Sequence, residues 1–548
     1  MKKIFLSIAA AAMVLTSVTS CIEEIDPQTS AVTSDQAANA PGAFDNFVGA
    51  ITSSLAGSFT YSGNDDTEPY DFGYPSFFLQ RDVMGQDMVC EDSGSEWYTT
   101  WYASDAGLGP TYARCQLPWT YYYGWIKNCN TVISLAGENP DQDKISGAGI
   151  AYAMRAMFYM DLARMFAPET YASNPDAETV PIVTEKTSGT DATTNPRATN
   201  KDMWAFILSD LDKAQEYLKN YKRPDKYTPD STVVFGLKAR AYLTMEDWKN
   251  ASSYAEKAMK NYTPMNKEQY LSKQAGFNTP NDSWMFGLTY LSTDPNITLN
   301  DGDSSWGSQM IVEVSESECG YAANYVGPKR IDAHLYSTIP ATDFRRMCWV
   351  DPALDECETM EELLEGLSAY SDSPEGLANT GLVVSAVGEV GYMPVKFRPK
   401  DGEHADQYKA FTVAVPLMRV EEMKLIQAEA EGMINKTKGV ELLKEFAQTR
   451  DPNYTYDNVA DFRDQVWWQR RVEFWGEGFA TFDIKRLNKG IVRSYEGTNH
   501  PEGYRWNTTN VPQWMHLCIV QTETNYNSAC TNNPTPIAPE GDSDPFNW

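Results

Sequence analysis

Histidine is scarce in this 548-residue chain, at positions 334, 404, 500 and 516 only. A metal site needs convergent ligands, and these four are scattered along the sequence. No two cysteines stand at Cys-x-x-Cys spacing, which removes simple zinc and thioredoxin-like sites. There is no Gly-x-Ser-x-Gly elbow, no His-Glu-x-x-His helix and no Gly-x-x-x-x-Gly-Lys loop. The hydrolases and nucleotide-binding proteins those motifs define are therefore without support. Basic residues are also in deficit, 45 Lys and Arg against 75 Asp and Glu, for a net charge of −30. Such a chain repels phosphate backbones, which argues against a nucleic-acid partner. Beyond the N-terminus no run approaches the apolar length that spans a bilayer.

What is present begins at the N-terminus. Lys2 and Lys3 precede an apolar run, Ile4 to Val14, too short to span a membrane. Val18-Thr19-Ser20-Cys21 then sets small residues before a cysteine. This reads as a lipoprotein signal, residues 1–20, with Cys21 as the lipidation site. Acyl chains on Cys21 would tether an exported protein to a membrane. Residues 21–42 are rich in Ser, Thr, Ala, Asp and Gln, with Pro27 and Pro41, and read as the tether; residues 43–548 are the body. Export permits disulfides. Cys348 and Cys357 are close enough in sequence to bridge, and buried thiols are the alternative.

Helical periodicity is strong in two regions, about 119–261 and 418–490. Residues 119–136 put Tyr122, Trp125, Ile126, Cys129 and Ile133 on one face, and 148–166 align Met154, Phe158, Leu162 and Met165. Residues 201–219 give a third helix, 233–261 a pair and 418–448 another pair. Ala251, Ala255 and Ala258 are small residues in register, suited to close packing of tetratricopeptide-like pairs. Between these regions, 262–415 gains Asn, Asp, Gly, Ser, Thr and Pro and loses periodicity. It reads as an irregular insertion of loops and short strands, with extended runs at Trp284–Tyr290 and Leu382–Val387.

The stretch QRRVEFWGEGFATFDIKRLNKG, residues 469–490, resembles the SusD/RagB family of Bacteroidetes outer-membrane nutrient-binding lipoproteins. Glu473-Phe474, Gly476, Gly478 and Phe482-Asp483-Ile484-Lys485-Arg486 carry the resemblance. Asn128-Cys129-Asn130, Arg155-Ala156, Val180 to Val183, Asp343 to Arg346 and Glu429-Ala430 support it, in order along the chain. The acidic stretch Ile22 to Asp26 is similar to surface-export signals of such lipoproteins.

The resemblance implies a mostly α fold: tetratricopeptide-like helix pairs carrying a ligand-binding insertion. It implies a cell-surface lipoprotein of the outer membrane that captures oligo- or polysaccharide without catalysis. It also implies a partner, a SusC-like TonB-dependent transporter. A RagB-like peptide-binding protein is the alternative ligand class; an exported hydrolase and a helical scaffold without a small ligand are the remaining ones. No cofactor is expected.

Within 469–490, Val472, Trp475, Phe479 and Phe482 recur at core spacing, and Arg470 stands one turn from Glu473. The acidic and basic residues here are read as structural ion pairs. Asn300-Asp301-Gly302-Asp303 offers oxygens to a hard cation such as Ca²⁺ but lacks the rest of an EF-hand, and a solvated turn is the plainer reading. Aromatics are the better lead, because sugars stack on flat apolar rings that also carry a polar edge. Trp97 and Trp101 lie in EDSGSEWYTTWYASD and Trp306 in NDGDSSWGS, both polar surroundings. They are candidate platforms for sugar, with Trp284 and Tyr290 behind them and Arg81 as a hydroxyl donor.

Overall fold

A computed structural model describes residues 42–57, 68–91, 97–381 and 389–548. Cys21, the signal and the extended run expected at 382–387 lie outside the described residues. The chain divides into two compact units, Met1–Asn46 and Phe47–Trp548. In the second, helices dominate and strands are short.

Helix α1 is Ser76–Val83, α2 Ala113–Ala136, α3 Ile145–Phe166 and α4 Asn200–Tyr217. Then come α5 Ser231–Thr244, α6 Trp248–Met259, α7 Val420–Ile434 and α8 Lys436–Gln448. Last are α9 Phe462–Glu473 and α10 Ala480–Arg486. Each long helix expected from periodicity is present; α2 begins at Ala113, six residues before the expected start at 119, and the others lie within about three residues of their expected ends.

Several helices start where short polar side chains bind free backbone N–H groups. The Thr199 side chain accepts from Asp202 N ahead of α4, Asp230 from Val233 N ahead of α5, and Asp247 from Asn250 N ahead of α6. Consecutive helices pack on one another: α3 against α2 and α4, α6 against α5 and α7, and α7 against α8. Ala251, Ala255 and Ala258 are fully buried, which lets α6 lie close to its neighbours. A Cβ built on Gly439 would sit 2.2 Å from the Gly432 Cα, so α7 and α8 approach at a point that only glycine allows.

The insertion is closed at its base by a sheet. Strand β1 is Met88–Val89, β2 Glu178–Pro181, β3 Arg197–Thr199, β4 Trp284–Thr289, β5 Arg330–Ile331 and β6 Ala414–Arg419. They pair antiparallel as β1 with β5, β2 with β3 and β4 with β6. In the last pair Trp284 lies opposite Arg419 and Thr289 opposite Ala414. The two ends of residues 284–419 are thus joined, and the loops between them build out from that base. They have their own core, including Val312, Val350, Leu367, Leu377 and Met393. The described cysteines are thiols, so Cys348 and Cys357 are not bridged.

At the junction of insertion and helices lies a buried charge centre. Glu473, at the end of α9, receives Arg345 Nη1 at 3.2 Å, Arg419 Nη1 at 3.1 Å and Arg450 Nε at 3.2 Å. The Arg345 side chain also binds Asp343 at 2.7 Å and Arg450 binds Glu421 at 3.2 Å. Arg419 forks onto Glu477 at 2.9 and 2.8 Å, and Lys396 Nζ reaches the same carboxylate at 2.7 Å. Burial alone would raise the Glu473 pKa; Arg450, Arg419 and Arg345 overcome it and hold the carboxyl far below the ordinary range.

The structural role expected for these residues holds, but the pairing differs from that expected. Arg470 does not serve Glu473. Its Nε binds Asp483 at 2.7 Å, and Arg486 meets the other Asp483 oxygen at 2.7 Å. The reason is geometric: the Glu473 carboxylate is already surrounded by arginines from other elements.

Removing one partner of a buried charge set leaves the others uncompensated, at about 3–5 kcal/mol. Glu473→Gln should therefore lose about that much stability in urea unfolding at neutral pH. The sign with pH follows from a depressed pKa. The stabilisation is present above the ordinary glutamate value of 4.5 and is lost only as pH falls further, through the folded-state value. The gap between wild type and variant should thus stay constant down to that range and narrow below it.

Candidate functional site

A chain of aromatic rings runs from the surface into the core. Trp97, 40% exposed, lies 6.2 Å from Tyr70 between ring centroids. Tyr70 meets Trp101 at 5.2 Å, and Trp101 meets Tyr98 at 5.6 Å. Tyr98 continues to Phe72, Phe72 to Trp306 at 6.5 Å, and Trp306 to Phe397 at 5.1 Å. Of these rings Trp97 is the one presented to solvent.

This corrects most of the expected site. Trp306 is 1% exposed and Trp101 2%, and Trp284 and Tyr290 are equally buried. A ring enclosed in this way offers no face to a sugar. The polar neighbours of Trp306 misled because their hydroxyls serve the backbone. The Ser305 Oγ accepts from Ser308 N at 3.1 Å, capping the short helix Trp306–Met310, and the Ser308 Oγ accepts from Tyr321 N at 2.9 Å. Trp284 belongs to β4, and the Tyr290 hydroxyl donates to Phe72 O at 2.6 Å. Arg81 is buried too: its Nε donates to Phe77 O at 2.7 Å and its guanidinium lies 4.7 Å from the Phe482 ring centroid, beside Asp161.

Two exposed counterparts lie on loops that both contact the 301–303 turn. Tyr325 is 52% exposed and Tyr408 42%. The Tyr325 hydroxyl donates to Glu318 O at 2.9 Å, and its ring lies 5.8 Å from that of Tyr321. Tyr408 stands on the short helix Gln407–Ala410, and its hydroxyl donates to Asp301 Oδ1 at 2.8 Å. Phe411 fastens these loops together. Its ring sits against Gly302, Gly307 and Gly320, and a Cβ on Gly307 would come within 2.4 Å of it.

The turn at 300–303 is engaged by protein groups rather than open to a cation. Asp301 takes the Tyr408 hydroxyl, and Asp303 takes Gly320 N at 2.9 Å. Burial, with the neighbouring Asp301 charge, pushes the Asp303 carboxyl up to about 6.

Beside Gln407–Ala410, whose Lys409 lines it, opens a cleft of about 620 Å³. Glu316, Asp372, Glu375, Asp401 and Glu403 line it with carboxylates, and Lys400, Lys409 and His404 contribute nitrogen. Asp372 pairs with Lys273 at 3.1 Å, and Glu316 takes the Ser373 hydroxyl at 2.9 Å. His404 Nδ1 lies 3.0 Å from Glu313 O. The cleft thus has a polar, acidic lining, bordered by a helix that also carries an exposed tyrosine. Sequence reasoning missed Tyr325, Tyr408 and the cleft. The available signal was Tyr321 and Tyr325 at i,i+4 spacing in a glycine-flanked segment, and a lone tyrosine in DQYKA.

The candidate site thus sets exposed rings and a polar cleft on a helical scaffold. Comparison with known proteins gives the family. A family model described as "Starch-binding associating with outer membrane" matches residues 79–243, and one described as "SusD family" matches 376–535. The chain belongs to the SusD family. A SusD-like protein of Formosa agariphila is 22% identical over 420 residues, 70% of this chain and 74% of that one. Among solved structures, a SusD-like carbohydrate-binding protein of Bacteroides vulgatus superposes with a TM-score of 0.68 at 22% identity, covering 89% of this chain and 97% of that one. Surface glycan-binding protein A of Bacteroides thetaiotaomicron, solved with laminarihexaose, superposes with a TM-score of 0.64 at 16% identity, covering 89% and 97%. These structures share the fold, mostly helical with few short strands.

Burial separates the two tryptophans most simply tested. Trp306→Ala should cost about 3–5 kcal/mol, the usual penalty for emptying a core aromatic site. Trp97→Ala should change stability by about 0.5 kcal/mol, as a surface substitution. Thermal and urea unfolding of the two variants measures both.

Proposed function

We propose that this chain captures uncharged oligosaccharide at the cell surface and passes it to a SusC-like TonB-dependent transporter, acting as a binding protein and not as an enzyme. The observation that carries the ligand class is the pair of exposed tyrosines, each fixed by its own hydroxyl, beside a cleft lined by hydrogen-bonding groups. A held ring loses little freedom when a sugar stacks on it, and the carboxylates and lysines of the cleft meet hydroxyls. The excess of carboxylates disfavours uronate and sulfated glycans. Trp97, Tyr325 and Tyr408 replace the buried candidates as the stacking residues. Family membership supports glycan binding, outer-membrane association and the absence of catalysis. Attachment through a lipid on Cys21 completes the reading, on the strength of the lipobox.

Lipid-free protein should be titrated calorimetrically with neutral oligosaccharides, including laminarihexaose and maltohexaose, with charged glycans and with peptides. A neutral glycan should bind and release no reducing ends. Trp97→Ala and Tyr408→Ala should each weaken it by about tenfold to a hundredfold, the equivalent of about 1–3 kcal/mol. Their melting temperatures should be nearly unchanged. Unaltered affinity in both well-folded variants would remove these rings from the site. Binding of peptides alone would overturn the ligand class.

A further inference from the structure

Residues of α1, α2, α3 and α10, with Trp101 of the short helix Thr99–Ala103, enclose a cavity of about 20 Å³. That is room for one occupant about the size of a water molecule. Its charged lining is Arg81, Arg114, Arg164 and Lys485, with no aspartate or glutamate. Gln80 and Trp101 add uncharged donors. Four side-chain N–H groups of this lining find no acceptor among the described residues: Gln80 Nε2, Arg81 Nη2, Trp101 Nε1 and Arg114 Nε. Gln80 is 4% exposed, Arg81 3%, Trp101 2% and Arg114 1%, so bulk solvent does not serve them. Buried polar groups ordinarily have a partner.

The charges around the cavity do not balance. Arg164 pairs with Asp161, and Arg81 Nη1 stands 3.7 Å from the same carboxylate. That carboxylate also takes the Tyr74 and Tyr122 hydroxyls. Arg114 has no carboxylate partner among the described residues. Its Nη1 donates to Thr100 O, and its Nη2 to Ser104 Oγ and Trp514 O. Lys485 Nζ donates to Arg164 O at 2.6 Å and Ala167 O at 2.8 Å, and it too meets no carboxylate among the described residues. Burial brings Arg114 down to about 10, and burial with the Arg164 charge brings Lys485 down to about 7. Buried cations without a counter-charge are costly.

We propose that this cavity binds one monovalent inorganic anion of chloride size. The donor set chooses the occupant. Indole and guanidinium nitrogens only donate, and Gln80 presents its amide nitrogen. A water has two lone pairs to offer four donors, and it brings two further hydrogens of its own. A halide accepts from all four and supplies the missing charge. Sulfate, phosphate and carboxylate ligands are larger than the space. The ion would tie α1, α2 and the Thr99–Ala103 helix to one point, a framework role in a chain whose net charge otherwise repels anions. The site owes nothing to the glycan reading, since no residue lining it lines the acidic cleft.

The test uses lipid-free protein moved into sodium gluconate, whose anion is too bulky for the cavity. Sodium chloride or bromide then replaces gluconate at constant ionic strength while the melting temperature is followed. A ligand that binds only the folded chain stabilises it by mass action. The expected result is a melting temperature that rises with either halide. Crystals grown in bromide should show an anomalous peak within hydrogen-bond distance of Trp101 Nε1 and Arg114 Nε. Gln80→Leu removes one donor and keeps the volume. It should raise the halide concentration at which stabilisation begins by about tenfold, the worth of one hydrogen bond to a charged group. Equal melting temperatures in halide and gluconate would overturn the proposal. So would stabilisation without a peak in the cavity, a peak without stabilisation (binding at crystal concentration only), or an unshifted onset in folded Gln80→Leu. Should that variant not fold, the wild-type titration and the bromide peak decide.

Discussion

The carboxylate of Glu473, gripped by Arg345, Arg419 and Arg450, is the interaction on which the rest of the molecule depends. Those three arginines come from three places: a 3₁₀ turn within the insertion, the end of β6 and the residues after α8. A single buried charge thus ties the irregular insertion to the helices. The cost of taking so many charges out of water is offset only because every member is paired and hydrogen-bonded. Arg419 also stands opposite Trp284 across β4 and β6, so the charge centre and the sheet that closes the insertion share a residue. Such a set cannot tolerate partial assembly. It therefore specifies one arrangement of the insertion on its base.

With that base fixed, the proposed site falls to the loops built on it. Phe411 wedges them together at three glycines, and the hydroxyls of Tyr325 and Tyr408 are fixed by Glu318 and Asp301. The acidic sequence motif that looks most like an active site is thereby part of the framework. Its carboxylates are saturated by arginine and lysine, and no face of Glu473 is open to a substrate. On the proposed reading, recognition is left to rings and polar groups in loops of low regularity, as expected when a rigid scaffold positions variable segments.

The helices were legible in the sequence because their apolar residues recur at a 3.6-residue period, even in Ile145–Phe166, which is buried on nearly every side, and the small residues of Trp248–Met259 marked a close contact. The identity of the 469–490 stretch as structural was legible from its core spacing. Its pairing was not, because local spacing favours Arg470 with Glu473 whereas the true partners are distant in sequence. Trp306 was misread for a related reason. Serines in a polar run signal solvent only when their hydroxyls are not already used, and Ser305 and Ser308 bind backbone N–H groups inside the protein. Tyr408 carried almost no signal, since its exposure follows from where Phe411 anchors the short helix beside it.

Hydrogen exchange of the lipid-free protein, measured with and without saturating neutral oligosaccharide, tests the central claim most directly. The account predicts added protection at residues 97–103, 318–326 and 400–412. Exchange at 469–486 should stay slow and unchanged, because the charge centre is framework. Protection that appears at 469–486 and not in those loops would contradict it.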